Sequence, residues 1–147
     1  MIKIKRPTLI IDKQKCLSNI DKMATKARQN NVIFRPHFKT HQSIEIAEWF
    51  RQVGIDRITV SSVEMASKFA RNGWGDITIA FPVNYLQIDE INRLAARISL
   101  NLMIESPEGA SFLADNLNHP SGVFIEVETG YKRSGIDPDN KDKLEKI

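Results

Sequence analysis

The chain has one cysteine, Cys16, in 147 residues, which excludes an internal disulfide and any cysteine-cluster metal site. Cys16 falls on the apolar face of the first predicted helix, the place of a buried inert thiol rather than a reactive one. Long hydrophobic runs are missing too: no stretch approaches the ~20 apolar residues of a membrane span. The opening Lys3-Ile4-Lys5-Arg6 has charge but no apolar run of the secretory type, so a cytoplasmic location is expected. Charge of one sign is scarce, since 21 Lys and Arg against 18 Asp and Glu leave a net +3. The basic residues are dispersed among acidic ones, which argues against nucleic acid as a partner. Nor does Gly-x-Gly-x-x-Gly follow any predicted strand, which weakens a dinucleotide-binding reading.

What is present is a soluble globular composition, 41% hydrophobic and 27% charged. Residues 7–11 read as a short strand, with Asp12 as the N-cap of a helix whose apolar stripe is Cys16, Leu17, Ile20, Met23, Ala24 and Ala27. Residues 32–34 read as the next strand. A helix then carries Ile46, Ala47, Phe50 and Val53 inward and stops at Gly54, suited to a left-handed cap. Residues 57–60 form a strand, and the spacing Ser61 to Glu64 predicts a capping box on a helix with Val63, Ala66, Phe69 and Ala70 inward. Strand 77–81 follows, then Asn84 and Gln87 at capping spacing before a helix through Ile88, Ile91, Leu94 and Ala95. After strand 98–104, Ser106-Pro107-Glu108 is a helix start with a cap, an N1 proline and a first-turn acid. Strand 123–127 comes last, before the turn 129–135 and a final helical stretch, 140–147.

Strands therefore begin about every 19 to 25 residues, each followed by a helix, the pattern of a parallel sheet with helices outside. That spacing suits a doubly wound sheet or a (β/α)8 barrel. A barrel needs about 200 residues and eight strands. The expected fold is thus α/β, a partial (β/α)8 (TIM-type) barrel of about five βα units forming a single incomplete domain over residues 1–147. Its outer strands would present raw edges.

One segment stands apart: Arg35-Pro36-His37-Phe38-Lys39-Thr40-His41, at a strand-to-helix turn. A solvated loop lysine flanked by polar histidines is the commoner account of such a cluster. The sharper one is that Lys39 is an amine for covalent chemistry on a carbonyl or on pyridoxal phosphate. In a parallel fold, residues just past the strand C-termini share one face, which puts Lys39 and Arg133 at the same end. A nucleophilic lysine must lose its proton, and His37, His41 and Arg133 are candidate sources of the positive charge that favours this. His119, before Pro120, reads as solvated, Glu64 as a cap residue, and Trp49 and Trp74 as outer-layer packing. Glu126 and Glu128 share one side of the last strand and need partners if it faces inward.

The segment V-I-F-R-P-H-F-K-T-H-Q-S, residues 32–43, resembles the lysine segment of the D-threonine aldolase and eukaryotic-type D-serine dehydratase family, within the alanine-racemase-like pyridoxal-phosphate barrels. The resemblance extends to P-T-L-I-I-D near the start and to E-V-E-T-G-Y-K-R-S-G-I at 126–136, which is similar to the family's acidic-x-T/C-G-x-x-R-x-G turn. It implies that Lys39 holds pyridoxal 5′-phosphate as an internal aldimine and then shuttles a proton at the substrate α-carbon. It implies that Arg133 approaches the cofactor's ring hydroxyl and that His37 shapes the lysine's surroundings. No role is carried onto Tyr131.

The function implied is that of the N-terminal part of a pyridoxal-phosphate enzyme acting on D-amino acids. Aldolase cleavage of a β-hydroxy D-amino acid is the first choice, then D-serine dehydration and racemisation. The family's divalent metal is held by a C-terminal β-domain that this sequence lacks, so no residue here is assigned to metal. A small-molecule D-amino acid substrate and a homo-oligomer of the intact protein are expected, with no membrane partner. The 147 residues alone are not expected to be a competent enzyme. The alternatives are a non-catalytic pyridoxal-phosphate homeostasis protein, which needs Lys39 but no substrate pocket, and a phosphate-binding barrel with a structural Lys39.

Overall fold

A computed structural model describes residues 4–147. Of the basic opening, Lys3 lies outside the described residues. Helix α1, Lys13–Gln29, starts at Asp12, whose carboxylate accepts the Lys15 amide N–H as the sequence predicts. Its stripe is narrower than the pattern suggests: Ile20 and Ala24 are buried, Cys16 is half-buried and Met23 is exposed.

Four parallel strands form one sheet in chain order: β1 (Arg57–Val60), β2 (Asp76–Pro82), β3 (Ser99–Ile104) and β4 (Gly122–Ile125). Helices α2 (Ile44–Arg51), α3 (Val63–Arg71), α4 (Ile88–Ala95), α5 (Pro107–Asn116) and α6 (Lys141–Glu145) complete the element order. Along each strand the side-chain period of two divides the faces. Ile58, Val60, Ile77, Ile79, Leu100, Leu102 and Ile104 enter one core with Ala47, Val63, Ala66, Phe69, Ile91, Leu94 and Leu113 of the helices. The opposite face carries Arg57, Thr59, Asp76, Thr78, Asn101, Met103 and Phe124. This is the α/β architecture of a partial barrel, as expected.

Two predicted strands do not form. Residues 7–11 have no ladder partner among the described residues, and Leu9 is 87% exposed. Residues 32–34 also lack a ladder, and pairing with β1 begins only at the His37–Thr59 bridge, where Thr59 N–H donates to the Pro36 carbonyl at 2.8 Å. Pro36 itself has no N–H to give the ladder. The last strand ends at Ile125, and Val127 instead bridges to Ile136.

The helix starts are mostly as read. Ser106 caps α5, and its hydroxyl accepts the Gly109 N–H. The α3 cap is Ser62, whose hydroxyl accepts from Met65, one residue later than Ser61. Asn84 caps a 3-10 turn, Tyr85–Gln87, ahead of α4. Gly54 (φ +82°) ends the α2 segment in the left-handed region, as predicted. Trp74 is core rather than outer layer, 1% exposed, and meets Phe38 edge-on with the ring centroids 5.2 Å apart.

Candidate active site

The lysine segment is a 3-10 turn, Phe38–Thr40, just past the bridge to β1. At three residues per turn, neighbouring side chains point about 120° apart. Phe38 accordingly goes into the core, 0% exposed, with ring centroids 5.1 Å from both Phe50 and Phe69, while Lys39 faces solvent. The turn's main chain is tied down. Lys39 N–H donates to His37 Nδ1 at 3.3 Å, and Gln42 N–H to the Phe38 carbonyl at 2.9 Å. Lys68 Nζ donates to the Gln42 carbonyl at 2.6 Å. The Lys39 amine itself has no hydrogen-bond or ion-pair partner among the described residues.

Both histidines face the local backbone. His41 Nδ1 accepts the Ser43 N–H at 3.0 Å, and its ring lies 4.6 Å from Phe38, centroid to centroid. Burial lowers its pKa below the ordinary imidazole value, and the nearby Lys68 ammonium pushes the same way. For His37, burial and then the Lys39 charge lower it, against a hydrogen bond to the Thr59 main chain. Each ring accepts an amide N–H on Nδ1, so each is a neutral imidazole at neutral pH. Neither supplies the positive charge beside Lys39 that the sequence suggested.

Arg133 lies in the loop that leaves β4. Glu128 organises that loop: its carboxylate accepts N–H groups from Gly130 and, at 3.2 Å, from Arg133. The Lys132 amide first, then those of Gly130, Arg133 and Tyr131, hold Glu128 below the usual carboxylate range, as hydrogen bonding to the charged form does. Gly130 (φ +113°), Lys132 (φ +51°) and Gly135 (φ +100°) let the chain fold back. Glu126 accepts from the Ser134 hydroxyl at 2.8 Å, and Glu105 from Gly135 N–H at 2.8 Å. The two acids therefore find loop donors rather than a lysine or arginine of a neighbouring strand. Glu126 keeps one buried carboxylate oxygen without a partner. The Arg133 guanidinium is exposed and makes no bond among the described residues.

Lys39 thus follows the isolated His37 bridge to β1 and Arg133 lies in the loop after β4, and no hydrogen bond joins them. Sequence reasoning missed the third feature here, an acidic and polar set on the inner sheet face. Arg35 Nη1 donates to Asp76 at 2.6 Å and to the Ile58 carbonyl at 3.4 Å. Asn101 donates to the same Asp76 oxygen at 3.3 Å. The strand alternation of Asp76 with Ile77 was the signal that could have found it. A cavity of about 650 Å³ lies elsewhere, between α5 and β4 on the apolar helix side, with Leu113, Val123 and Ile125 in its wall.

Comparison with known proteins bears on the fold and the family. The chain is 28% identical over 144 residues to D-threo-3-hydroxyaspartate dehydratase of Delftia sp. (strain HT23), covering 95% of this chain and 38% of the relative. It is 29% identical over 133 residues to D-serine dehydratase of Dictyostelium discoideum, covering 82% and 34%. The solved D-threonine aldolase from Filomicrobium marinum superposes with a TM-score of 0.85 over 91% of this chain and 37% of that one, at 24% identity, and so speaks to the fold. The chain spans little more than a third of these relatives' length. Residues 11–146 match the family described as alanine racemase, N-terminal domain, and the chain belongs to it.

Proposed function

We propose that Lys39 is the amine that binds pyridoxal 5′-phosphate, and that the protein of which these residues form the catalytic-lysine domain acts on a D-amino acid bearing a β-hydroxyl. The observation that carries this reading is a lysine whose main chain is fixed from both sides while its amine has no protein partner. The donor chemistry fits the group: a free primary amine suits its aldehyde and an unpaired guanidinium suits its ring hydroxyl. When bound, the cofactor supplies an electron sink for charge developing at the substrate α-carbon. Lys39 Nζ holds it and, once freed, moves a proton at that carbon. Arg133 binds at the ring hydroxyl, and Glu128 orients Arg133 by keeping its turn closed. His37 orients Lys39 through the amide on Nδ1.

The substrate class rests on the relatives. D-threo-3-hydroxyaspartate, D-serine and D-threonine, named in their activities, share the D configuration and a β-hydroxyl. Cleavage or dehydration is the reaction, with a divalent metal bound outside these residues. The protein is cytoplasmic and homo-oligomeric on this reading. Among the described residues no helix is long and apolar enough to cross a membrane.

The test is borohydride reduction after incubation with pyridoxal phosphate, then peptide mapping. A pyridoxyl group on Lys39, lost in Lys39→Ala, is the expected result. An adduct on other lysines alone, or none, overturns the assignment. An adduct on Lys39 in the intact protein without turnover of D-threonine, D-serine or D-threo-3-hydroxyaspartate rejects the substrate class and favours a cofactor carrier.

A further inference from the structure

The segment that bears Lys39 joins the sheet without a proper strand, so something other than a ladder must set its height against β1. The main-chain tie to β1 is the single His37–Thr59 bridge, in which Thr59 N–H donates to the Pro36 carbonyl. A further tie to the sheet is made by a side chain of the same segment. Arg35 crosses β1, where its Nη1 lies 3.4 Å from the Ile58 carbonyl, and ends 2.6 Å from Asp76 at the start of β2. Asp76 is in turn held by Asn101 of β3 at 3.3 Å, with Arg57 of β1 at 3.9 Å. The chain of contacts reaches β4: a Cβ on Gly122 would collide with Asn101 Oδ1. The residue opposite Asn101 has no side chain, and the amide occupies that space. Polar side chains thus link the Arg35 segment to β1, β2 and β3, and the Asn101 amide lies over Gly122 of β4. About three-quarters of the Arg35 and Asp76 side chains is shielded from solvent, at 21% and 24% exposure, where an ion pair is less screened than at the surface.

We propose that this Arg35–Asp76–Asn101 belt is a positioning device that fixes the Lys39 turn against the sheet. Arg35 is bound on one side to two different strands and on the other, through Pro36 and His37, to the turn. Both bonds leave one nitrogen, Nη1, whose two N–H groups are fixed in the guanidinium plane; a lysine ammonium is a compact charge on a shorter, more flexible stem without that fixed geometry. Gly122 is part of the device because it makes room for the amide that orients Asp76. None of these groups is placed in contact with cofactor or substrate. The consequence for cofactor capture rests on the reading of Lys39 above, whereas the positioning of the turn does not.

The experiment is amide hydrogen exchange on the full chain, comparing Asp76→Ala, Gly122→Ala and Arg35→Lys with the parent. The informative amides are Thr59, Lys39 and Gln42, which donate to Pro36 O, His37 Nδ1 and Phe38 O. In Asp76→Ala they are expected to exchange about tenfold faster while the β3 amides keep their protection, because local opening is separable from global unfolding. Gly122→Ala and Arg35→Lys give the same local pattern at smaller amplitude. Glu90→Ala, which removes the exposed Arg93–Glu90 pair on α4, leaves all three amides unchanged.

Unchanged exchange at these amides, or acceleration spread evenly over the sheet, overturns the proposal. Should Asp76→Ala fail to fold, the other two variants decide on the same criterion. Trapping of pyridoxal phosphate by borohydride is the second readout: capture at Lys39 slows in Asp76→Ala and is partly restored by Asp76→Glu. Parent protein that traps nothing at Lys39 refutes the cofactor reading, while the exchange rates still decide whether the belt positions the turn. Capture that is normal in Asp76→Ala despite faster exchange refutes the link between the belt and the lysine.

Discussion

Replacing Phe38 by Ala separates the anchor of the lysine turn from its reactive end. The Phe38 ring is fully buried, with centroid distances of 5.1 Å to Phe50, 5.1 Å to Phe69 and 5.2 Å to Trp74. Truncating a buried phenylalanine costs about 3–5 kcal/mol through lost transfer energy and the cavity left behind. Three aromatic neighbours, each pair worth about 0.5–1.5 kcal/mol beyond area, push the value upward, and partial collapse pulls it back. We expect a loss of about 4 kcal/mol, a large share of the ~5–15 kcal/mol that holds a domain folded. With a urea slope of about 2 kcal/mol per molar, the midpoint falls by about 2 M. Tryptophan fluorescence is a direct probe, since Trp74 sits in the cluster. Lys39→Ala, next door but exposed, should move the midpoint by no more than about 0.25 M, the equivalent of the ~0.5 kcal/mol usual for surface changes. It should nevertheless abolish trapping of pyridoxal phosphate. A Phe38→Ala midpoint within about 0.5 M of the parent would show that the core closes over the lost ring, and would refute the anchor.

Three further outcomes follow from the geometry. Gly135→Ala should cost about 3 kcal/mol by thermal unfolding, because its φ is +100° and a Cβ would lie 2.8 Å from Glu128 N and 2.9 Å from Val127 C, both main chain. Gly130→Ala, with no atom near its Cβ but φ +113°, should cost about 1–2 kcal/mol from backbone strain alone. Ser62→Ala should cost about 1 kcal/mol and Ser61→Ala about half that or less, which distinguishes the observed cap from the one the sequence suggests. Finally, the folded pKa of His37 and His41 lies below the ordinary 6.5, so the unfolded chain binds protons that the folded chain resists. Their contribution is complete above about pH 6.5 and is lost as pH falls toward the folded values. The urea midpoint should drop between about pH 7 and 5, and the drop should shrink in His37→Asn/His41→Asn; an equal drop in that variant would assign it to other groups.

The elements that were legible in the sequence are those whose local signals agree with their burial. Ser106-Pro107-Glu108 gives a cap, an N1 proline and a first-turn acid at once, and α5 starts there. The strands that form are those with a partner on at least one side. Residues 7–11 and 32–34 have the composition of strands, yet composition does not supply the neighbour a ladder requires. Trp74 departs from its expected place because a residue just after a helix has no periodicity to announce its direction. It lies in the core because Gly73 (φ +83°) turns the chain inward ahead of it.

The candidate site was legible in its lysine and not in the groups that hold the lysine turn. Lys39 stands out in the sequence because histidines flank it two positions either side, in a segment that reads as the end of a strand. The residues that hold it are separated from it by 37 positions, Asp76, and by 62, Asn101, and carry no motif. Their role exists only once β2 and β3 are in register, because register decides which strand residues share a face. The histidines show the same division. Their spacing about Lys39 invites an electrostatic role, but each directs Nδ1 to an amide two residues on. An imidazole committed in that way stays neutral and holds the turn's shape, leaving Lys39 without a cationic partner from its own segment.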